Sequence, residues 1–382
     1  MRTKRSPLRL LAAVCILAIG LSVIVLMTSQ STVAERDYIT YWASGRLLLH
    51  HDNPYGAAAL LALDRSAGST GNRVAIIRYP PSGLLFELLL AQFGPRTGGI
   101  LWSLALIAAL MGSIRLLWQM HGRQPDRTHL LAYMFPPVLC CVLAGQIGIF
   151  LLLAFTVFLC LHESRPFIAG GALSICLMKP HLIALIVVVL LAWSLSRKRF
   201  KILAGGGLTF LASALFPLYF DKRIWSDYWT GLRGEHISNE FIPVISTVFR
   251  LAIHRDWWIL QFVPLLVGLI WALTYFWKRR EEWDWVKHGP LLAAVGVLVA
   301  PYAWITDESL ALPAVLFGLY ALPETGRSIV PYALVAFAGL GEVLFTVPPS
   351  SGFYLWSAPA WVAWYVYATR PAHLQEPSPA AA

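Results

Sequence analysis

His181-Leu182-Ile183-Ala184-Leu185-Ile186-Val187-Val188-Val189-Leu190-Leu191-Ala192-Trp193-Ser194-Leu195-Ser196 runs straight into Arg197-Lys198-Arg199-Phe200-Lys201, after which Ile202 to Tyr219 is apolar again. An apolar run, a packet of cations and a second apolar run is the pattern of two membrane helices joined on the cytoplasmic side, where Lys and Arg are enriched. The same alternation recurs along the chain. Lys278-Arg279-Arg280 follows another apolar run, and Arg165, Arg327 and Arg370 mark further boundaries. The whole sequence of 382 residues is 58% hydrophobic and only 13% charged, with a mean hydropathy of +0.64. A soluble domain carries roughly a quarter charged residues, so no soluble core would absorb this much apolar sequence. A membrane β-barrel is also excluded, because the runs are continuous and lack the in/out alternation of barrel strands.

The net charge of +10 would suggest nucleic acid in a soluble protein. Here the cations sit in short clusters between apolar runs, so no nucleic-acid partner is expected and the lipid bilayer is the partner. The five cysteines, Cys15, Cys140, Cys141, Cys160 and Cys176, lie inside apolar segments without CxxC spacing and read as small buried hydrophobes.

At the amino end, Arg2, Lys4, Arg5 and Arg9 precede an apolar run from Leu10 to Met27. It reads as a first span. A cleavable signal peptide is the alternative, for which Thr32-Val33-Ala34 is a poor cleavage site. Either way the next segment, 33–81, lies outside, and its charged residues Asp37, Asp52, Asp64, Arg65, Arg73 and Arg78 make it an extracytoplasmic first loop. After Pro80-Pro81, residues 82–93 are apolar but short for a span and read as re-entrant or interfacial. With that segment not crossing, 99–119 runs outside to inside and Arg115, Arg123 and Arg127 become cytoplasmic. Further spans follow near 130–145, 147–161, 167–179, 181–196, 202–219, 257–277, 288–304, 309–322, 327–346 and 354–369. This predicts an all-α integral membrane protein, a polytopic helical bundle of about twelve transmembrane helices. It forms a single domain over 1–372, with a later outer loop at 220–256 and a disordered tail at 373–382. The location expected is the cell membrane, multi-pass, a bacterial cytoplasmic membrane with the active site facing outside.

Ionisable groups close to a bilayer interior are costly and are kept for function or for pairing. The register puts Asp37, Gln146, Lys179-Pro180-His181 and Asp307-Glu308 at extracytoplasmic ends of spans, converging on one surface. Asp37 opens Asp37-Tyr38-Ile39-Thr40-Tyr41-Trp42, where it reads either as a helix N-cap or as a general base for a sugar hydroxyl, with Tyr41 and Trp42 able to stack on a sugar ring. Lys179 and His181 flank a proline break near headgroup level. They read as a snorkelling cation beside a helix boundary or as partners of a lipid-linked phosphate. Asp307-Glu308 interrupts two apolar runs, as loop solvation or function. Arg78 and Tyr79, and Arg233, Glu235 and His236, are further candidates of weaker claim. No phosphate-binding loop, dinucleotide fingerprint, HExxH or nucleophile elbow occurs, so ATP-driven transport and zinc or serine hydrolysis lack support.

Several of these residues form an ordered set: Asp37-Tyr38-x-x-Tyr41-Trp42-x-x-Gly45-Arg46-Leu47-Leu48, Asn53-Pro54-Tyr55, Tyr79-Pro80-Pro81, Gly145-Gln146, Lys179-Pro180-His181 and Pro301-Tyr302-Ala303-Trp304 ahead of an acidic residue. In these the chain resembles glycosyltransferase family 87, the polyprenyl-phosphate-mannose-dependent alpha-1,2-mannosyltransferase-like members of the GT-C superfamily. The resemblance implies a GT-C-like fold and an inverting hexosyltransferase that moves a sugar, mannose in that family, from a polyprenyl-phosphate-linked donor to a glycolipid or glycan acceptor in cell-envelope synthesis. It implies Asp37 as catalytic base and Lys179 and His181 near the donor phosphate. Gln146, Arg78, Tyr79, Tyr41, Trp42 and Asp307 complete the expected substrate-binding set. Some members carry Trp-Asp-His where this chain has Trp304-Ile305-Thr306-Asp307-Glu308. A phosphate leaving group needs no strong acid, so one base and cationic stabilisation suffice; no cofactor is expected, and no ligand cluster argues for a metal. A secondary transporter would show internal repeats and helices broken at the midplane. No repeat is visible, and that class remains the alternative together with a non-catalytic membrane partner in envelope glycan assembly.

Overall fold

The computed structural model describes residues 36–70, 77–123, 128–234, 241–322, 347–348 and 350–369. The expected spans at 10–27 and 327–346, the tail at 373–382, and Arg73, Arg127, Glu235, His236, Arg327 and Arg370 lie outside the described residues. Within them the secondary structure is helical, and no strand occurs.

Prolines set many of the helix starts, since the first helical position needs no N–H partner and favours the proline φ. Thus α4 (Pro95–Met120), α5 (Pro136–Ala144), α7 (Pro166–Ser174) and α8 (Pro180–Ser196) each begin on a proline. Between them lies α6 (Gly148–Leu161), and after them come α9 (Phe200–Leu215), α12 (Val263–Arg279), α13 (Trp285–Val299), α14 (Leu312–Ala321) and α15 (Ser357–Ala368). Three helical stretches are long and apolar enough to cross a membrane: Pro95–Met120, Phe200–Tyr219 and Trp258–Glu282. Shorter apolar helices fall at the expected places, including Gly148–Leu161, Pro166–Met178, Pro180–Ser196 and Trp285–Val299. The expected span at 130–145 is split instead. A 3-10 segment, Thr128–Met134, stops before Pro136, and only nine residues of α-helix follow.

The segment read as a first outer loop is largely helical. It holds α1 (Tyr38–Leu49) and α2 (Ala57–Ser66), and ten of the twelve residues of α1 are buried. Its low hydropathy hides this, because the buried face is built from Tyr38, Tyr41, Trp42 and the small residues Ala43, Ser44 and Gly45. Helix α1 packs along α3 (Leu84–Leu90) and against α4. Gly45 meets the backbone of Glu87, and Ser44 Oγ donates to the buried Glu87 carboxyl. At seven residues α3 extends only about 10 Å, far short of a roughly 30 Å hydrocarbon layer, consistent with a segment that enters without crossing. The later outer loop likewise carries α10 (Ile224–Gly234) and α11 (Ile245–Ile253).

Apolar burial gains little between helices that could equally face lipid tails, so close van der Waals fit must hold them together. The pair α7/α9 shows this most clearly. Gly170 lies on the Ile202 carbonyl and Gly205 on the Phe167 carbonyl, so closely that a methyl at either position would overlap the facing backbone. The organising centre is the 3-10 segment Ile305–Ala311, every residue of which is buried, packed against α5, α6 and α13.

Candidate active site

The end of α5 sets up the site. Gly145 has φ +73°, Gly145 N–H donates to Val142 O (3.2 Å) and Gln146 N–H to Cys141 O (2.9 Å), the paired bonds of a Schellman C-cap. A side chain at Gly145 would be strained by this φ and would also press on Tyr38 Cβ at 2.9 Å. The turn throws Gln146 toward α1, where its Nε2 donates to Asp37 Oδ2 (2.5 Å) and its Oε1 accepts from Tyr41 OH (2.7 Å). Arg36 latches the same junction from the other side. Its guanidinium donates to Leu143 O (Nε, 2.7 Å), to Val142 O (Nη2, 2.7 Å), which also accepts from Gly145 N–H, and to Ser103 Oγ (Nη1, 3.0 Å), binding carbonyls in the last turn of α5.

Asp37 therefore sits at the start of α1 with its side chain oriented by a neighbour, not folded back as a cap: no side-chain capping bond is made. Solvent reaches it, yet protein atoms crowd around it. That desolvation pushes its pKa above the ordinary value, while the Gln146 hydrogen bond and the Lys179 ammonium pull the other way and Asp307 adds to the rise.

Lys179 precedes Pro180, and the break it makes between the 3-10 turn Ile175–Met178 and α8 turns its side chain inward. Its Nζ meets Asp307 Oδ1 at 2.6 Å, with the aspartate fully buried. Asp307 Oδ2 also accepts from Trp304 N–H (3.0 Å), so both carboxylate oxygens are engaged. Glu308 points elsewhere. It takes Ser357 Oγ at 2.6 Å and Trp361 Nε1 at 2.8 Å from α15. The two adjacent acids, read from sequence as solvated or functional, are both buried and have separate partners.

Tyr302 joins the remaining candidates. Its OH accepts from Arg78 Nη1 (2.8 Å) and from Trp304 Nε1 (2.6 Å), and its ring meets His181 edge-on at 5.9 Å. His181 Nε2 is buried and has no hydrogen-bond partner among the described residues. Tyr79 packs on Tyr41 (5.8 Å between ring centres), and its OH is another buried group without a partner among the described residues. Trp42 instead faces away, donating Nε1–H to Phe93 O (2.9 Å), where it braces α1. Arg233, on α10, makes no hydrogen bond or ion pair with the set among the described residues. Asp37, Gln146 and Tyr41 thus form one hydrogen-bonded group. Lys179 and Asp307 form a second that acts on Asp37 through its charges, and Arg78, Tyr302 and His181 adjoin it. Arg36 and Tyr302 were absent from the expected site residues; Tyr302 lies in the quoted Pro301-Tyr302-Ala303-Trp304 motif, whereas nothing in the sequence near Arg36 signals its latch.

Searches of curated proteins and of solved structures found no match. A sequence profile for glycosyltransferase family 87 matches residues 77–323, about two thirds of the chain, taking in Arg78, Gln146, Lys179, His181, Tyr302 and Asp307 but not Asp37. The chain belongs to glycosyltransferase family 87.

Proposed function

We propose that this membrane glycosyltransferase takes a sugar, mannose by its family resemblance, from a polyprenyl-phosphate donor and passes it to a hydroxyl of a glycolipid or glycan on the extracytoplasmic side, with inversion and with Asp37 as base. The observation that carries the reading is the Asp37 carboxylate, solvent-accessible, fixed through Oδ2 by Gln146, with no hydrogen bond to Oδ1 among the described residues. A base must be within hydrogen-bond reach of the proton it removes and must be held in place. The acceptor oxygen attacks the anomeric carbon on the face opposite the phosphate. The carbon–oxygen bond to phosphate breaks, its electron pair leaves with polyprenyl phosphate, and the acceptor proton passes to Asp37.

Support on the leaving-group side comes from Lys179, His181 and Arg78. Lys179 is already neutralised by Asp307 at 2.6 Å, so it acts as a fixed dipole with its carboxylate, and His181 Nε2 is the buried polar atom open to a phosphate oxygen. Membranes carrying the protein are expected to transfer mannose from polyprenyl-phosphate-mannose to a glycolipid acceptor. Asp37→Asn should lower this by roughly 10²–10⁴-fold, the usual general-base contribution, and by more only if the residue also orients the acceptor. Transfer unchanged in that variant, at equal expression, removes Asp37 from the mechanism.

A further inference from the structure

The opposite end of α4 carries a feature that sugar transfer does not use. One stripe of this helix is exposed, through Ile100, Leu101, Leu104 and Met111, and Arg115 continues the same stripe. Helix α4 has 26 residues and is about 39 Å long, a few ångströms longer at each end than a roughly 30 Å hydrocarbon layer. Arg115 lies five positions before Met120, about 7 Å inside the helix end, which brings its guanidinium to the boundary between acyl chains and headgroups. An arginine on a lipid-facing stripe at that depth needs an anion or water. Among the described residues it makes no hydrogen bond or ion pair.

Beside it opens a groove of about 450 Å³ between α4 and the 3-10 segment Thr128–Met134, walled by Met111, Ile114, Trp118, His129 and Tyr133. Trp118 and His129 face each other with ring centres 5.1 Å apart. The volume is within the roughly 300–1,000 Å³ of small-ligand sites. Its walls are apolar (Met111, Ile114), aromatic (Trp118, His129, Tyr133) and cationic (Arg115), as the chain, glycerol and phosphate of a lipid require, and among the described residues no acidic residue lines it. We infer that this groove binds the phosphate and upper acyl chain of an anionic phospholipid, with Arg115 on the phosphate. The Arg115 cation in its lining favours a net-negative headgroup over zwitterionic choline, whose ammonium the guanidinium repels. The register of basic clusters puts it in the cytoplasmic leaflet, but the binding itself does not depend on sidedness or on the transfer reaction.

Native mass spectrometry of the purified protein in micelles tests this, titrating dioleoyl phosphatidylglycerol against dioleoyl phosphatidylcholine. The first phosphatidylglycerol should bind at least about five times more tightly. R115Q should remove that preference, while R115K keeps most of it, and R199Q, which alters an exposed cation on the same side, and D37N should leave it unchanged. Circular dichroism confirms that R115Q stays folded, as expected for an exposed position. A preference that survives in R115Q, or that falls equally in R199Q, overturns the site in favour of diffuse surface charge. Competition by glycerol 3-phosphate as strong as that of the lipid overturns the lipid assignment in favour of a free-phosphate site.

Discussion

Breaking the Lys179–Asp307 pair separates a structural from a chemical role for the same two residues. Nζ and Oδ1 are 2.6 Å apart, the lysine side chain is 11% exposed and the aspartate is fully buried. Removing one member of such a pair leaves an uncompensated charge and costs about 3–5 kcal/mol, whereas replacing both by apolar side chains of similar volume is often close to neutral. Lys179→Met and Asp307→Leu should therefore each destabilise the protein by about 3–5 kcal/mol. Asp307→Leu adds about 1 kcal/mol, because it also strips Trp304 N–H of its acceptor. The double variant keeps only that last loss and should lie within about 2 kcal/mol of the parent. Reversible unfolding in mixed micelles reads all three, and the double-mutant cycle gives the coupling directly. Sugar transfer should remain lost in the double variant, since no ammonium is left at the site. Additive destabilisation would refute the pairing as the source of the energy. Recovered transfer in the double variant would refute Lys179 as a participant in the chemistry.

With Asp37 in the proposed role of base, the acid limb of the transfer rate should lie above the ordinary carboxylate range near pH 4, because desolvation raises its pKa; Gln146→Ala, which removes a hydrogen bond that lowers that pKa, should move the limb to still higher pH, as kcat/KM against pH would show. Gly170→Ala and Gly205→Ala should sharply reduce folded protein recovered from membranes, since each methyl meets a facing carbonyl, while Gly207→Ala, with no atom within 4 Å, should be tolerated; equal yields for all three would contradict the α7/α9 contact. Cysteine introduced at the exposed Asn53 should react with an impermeant maleimide from outside intact cells, and cysteine at the exposed Lys198 should not, the reverse result inverting the register.

What could be read without coordinates follows from the range of the forces involved. Hydropathy and proline act locally, so Pro180 and the run into Arg197 placed α8 within a residue or two, and Pro166 placed the start of α7, which the 3-10 turn Ile175–Met178 extends toward the expected end at 179. Position along the chain also brought Asp37, Gln146 and Lys179 to the same end of the bundle, because parity of crossings is a counting argument. Contacts that couple distant positions were not legible. Lys179 pairs with a residue 128 positions away, and Arg36 latches carbonyls more than 100 away. A helix starting at Asp37 was legible, but its burial was not, because tyrosines and small residues can be buried when their hydroxyls find partners, as Tyr38 OH does with Pro95 O (3.0 Å) and Tyr41 OH with Gln146.

Glu308 gives the family boundary a mechanical meaning. The matched region closes at residue 323, yet both oxygens of this buried acid are held by Ser357 and Trp361, beyond that limit, and Asp37 stands forty residues before its start at 77. A chain trimmed to the shared region would retain Arg78, Lys179 and His181 and lose Arg36, Asp37 and the clamp on the Glu308 carboxylate beside Asp307. The hydrogen-bonded framework around the site is therefore larger than the matched region: it runs at least from Arg36 to Trp361, and any dissection of the protein should cut outside those two residues.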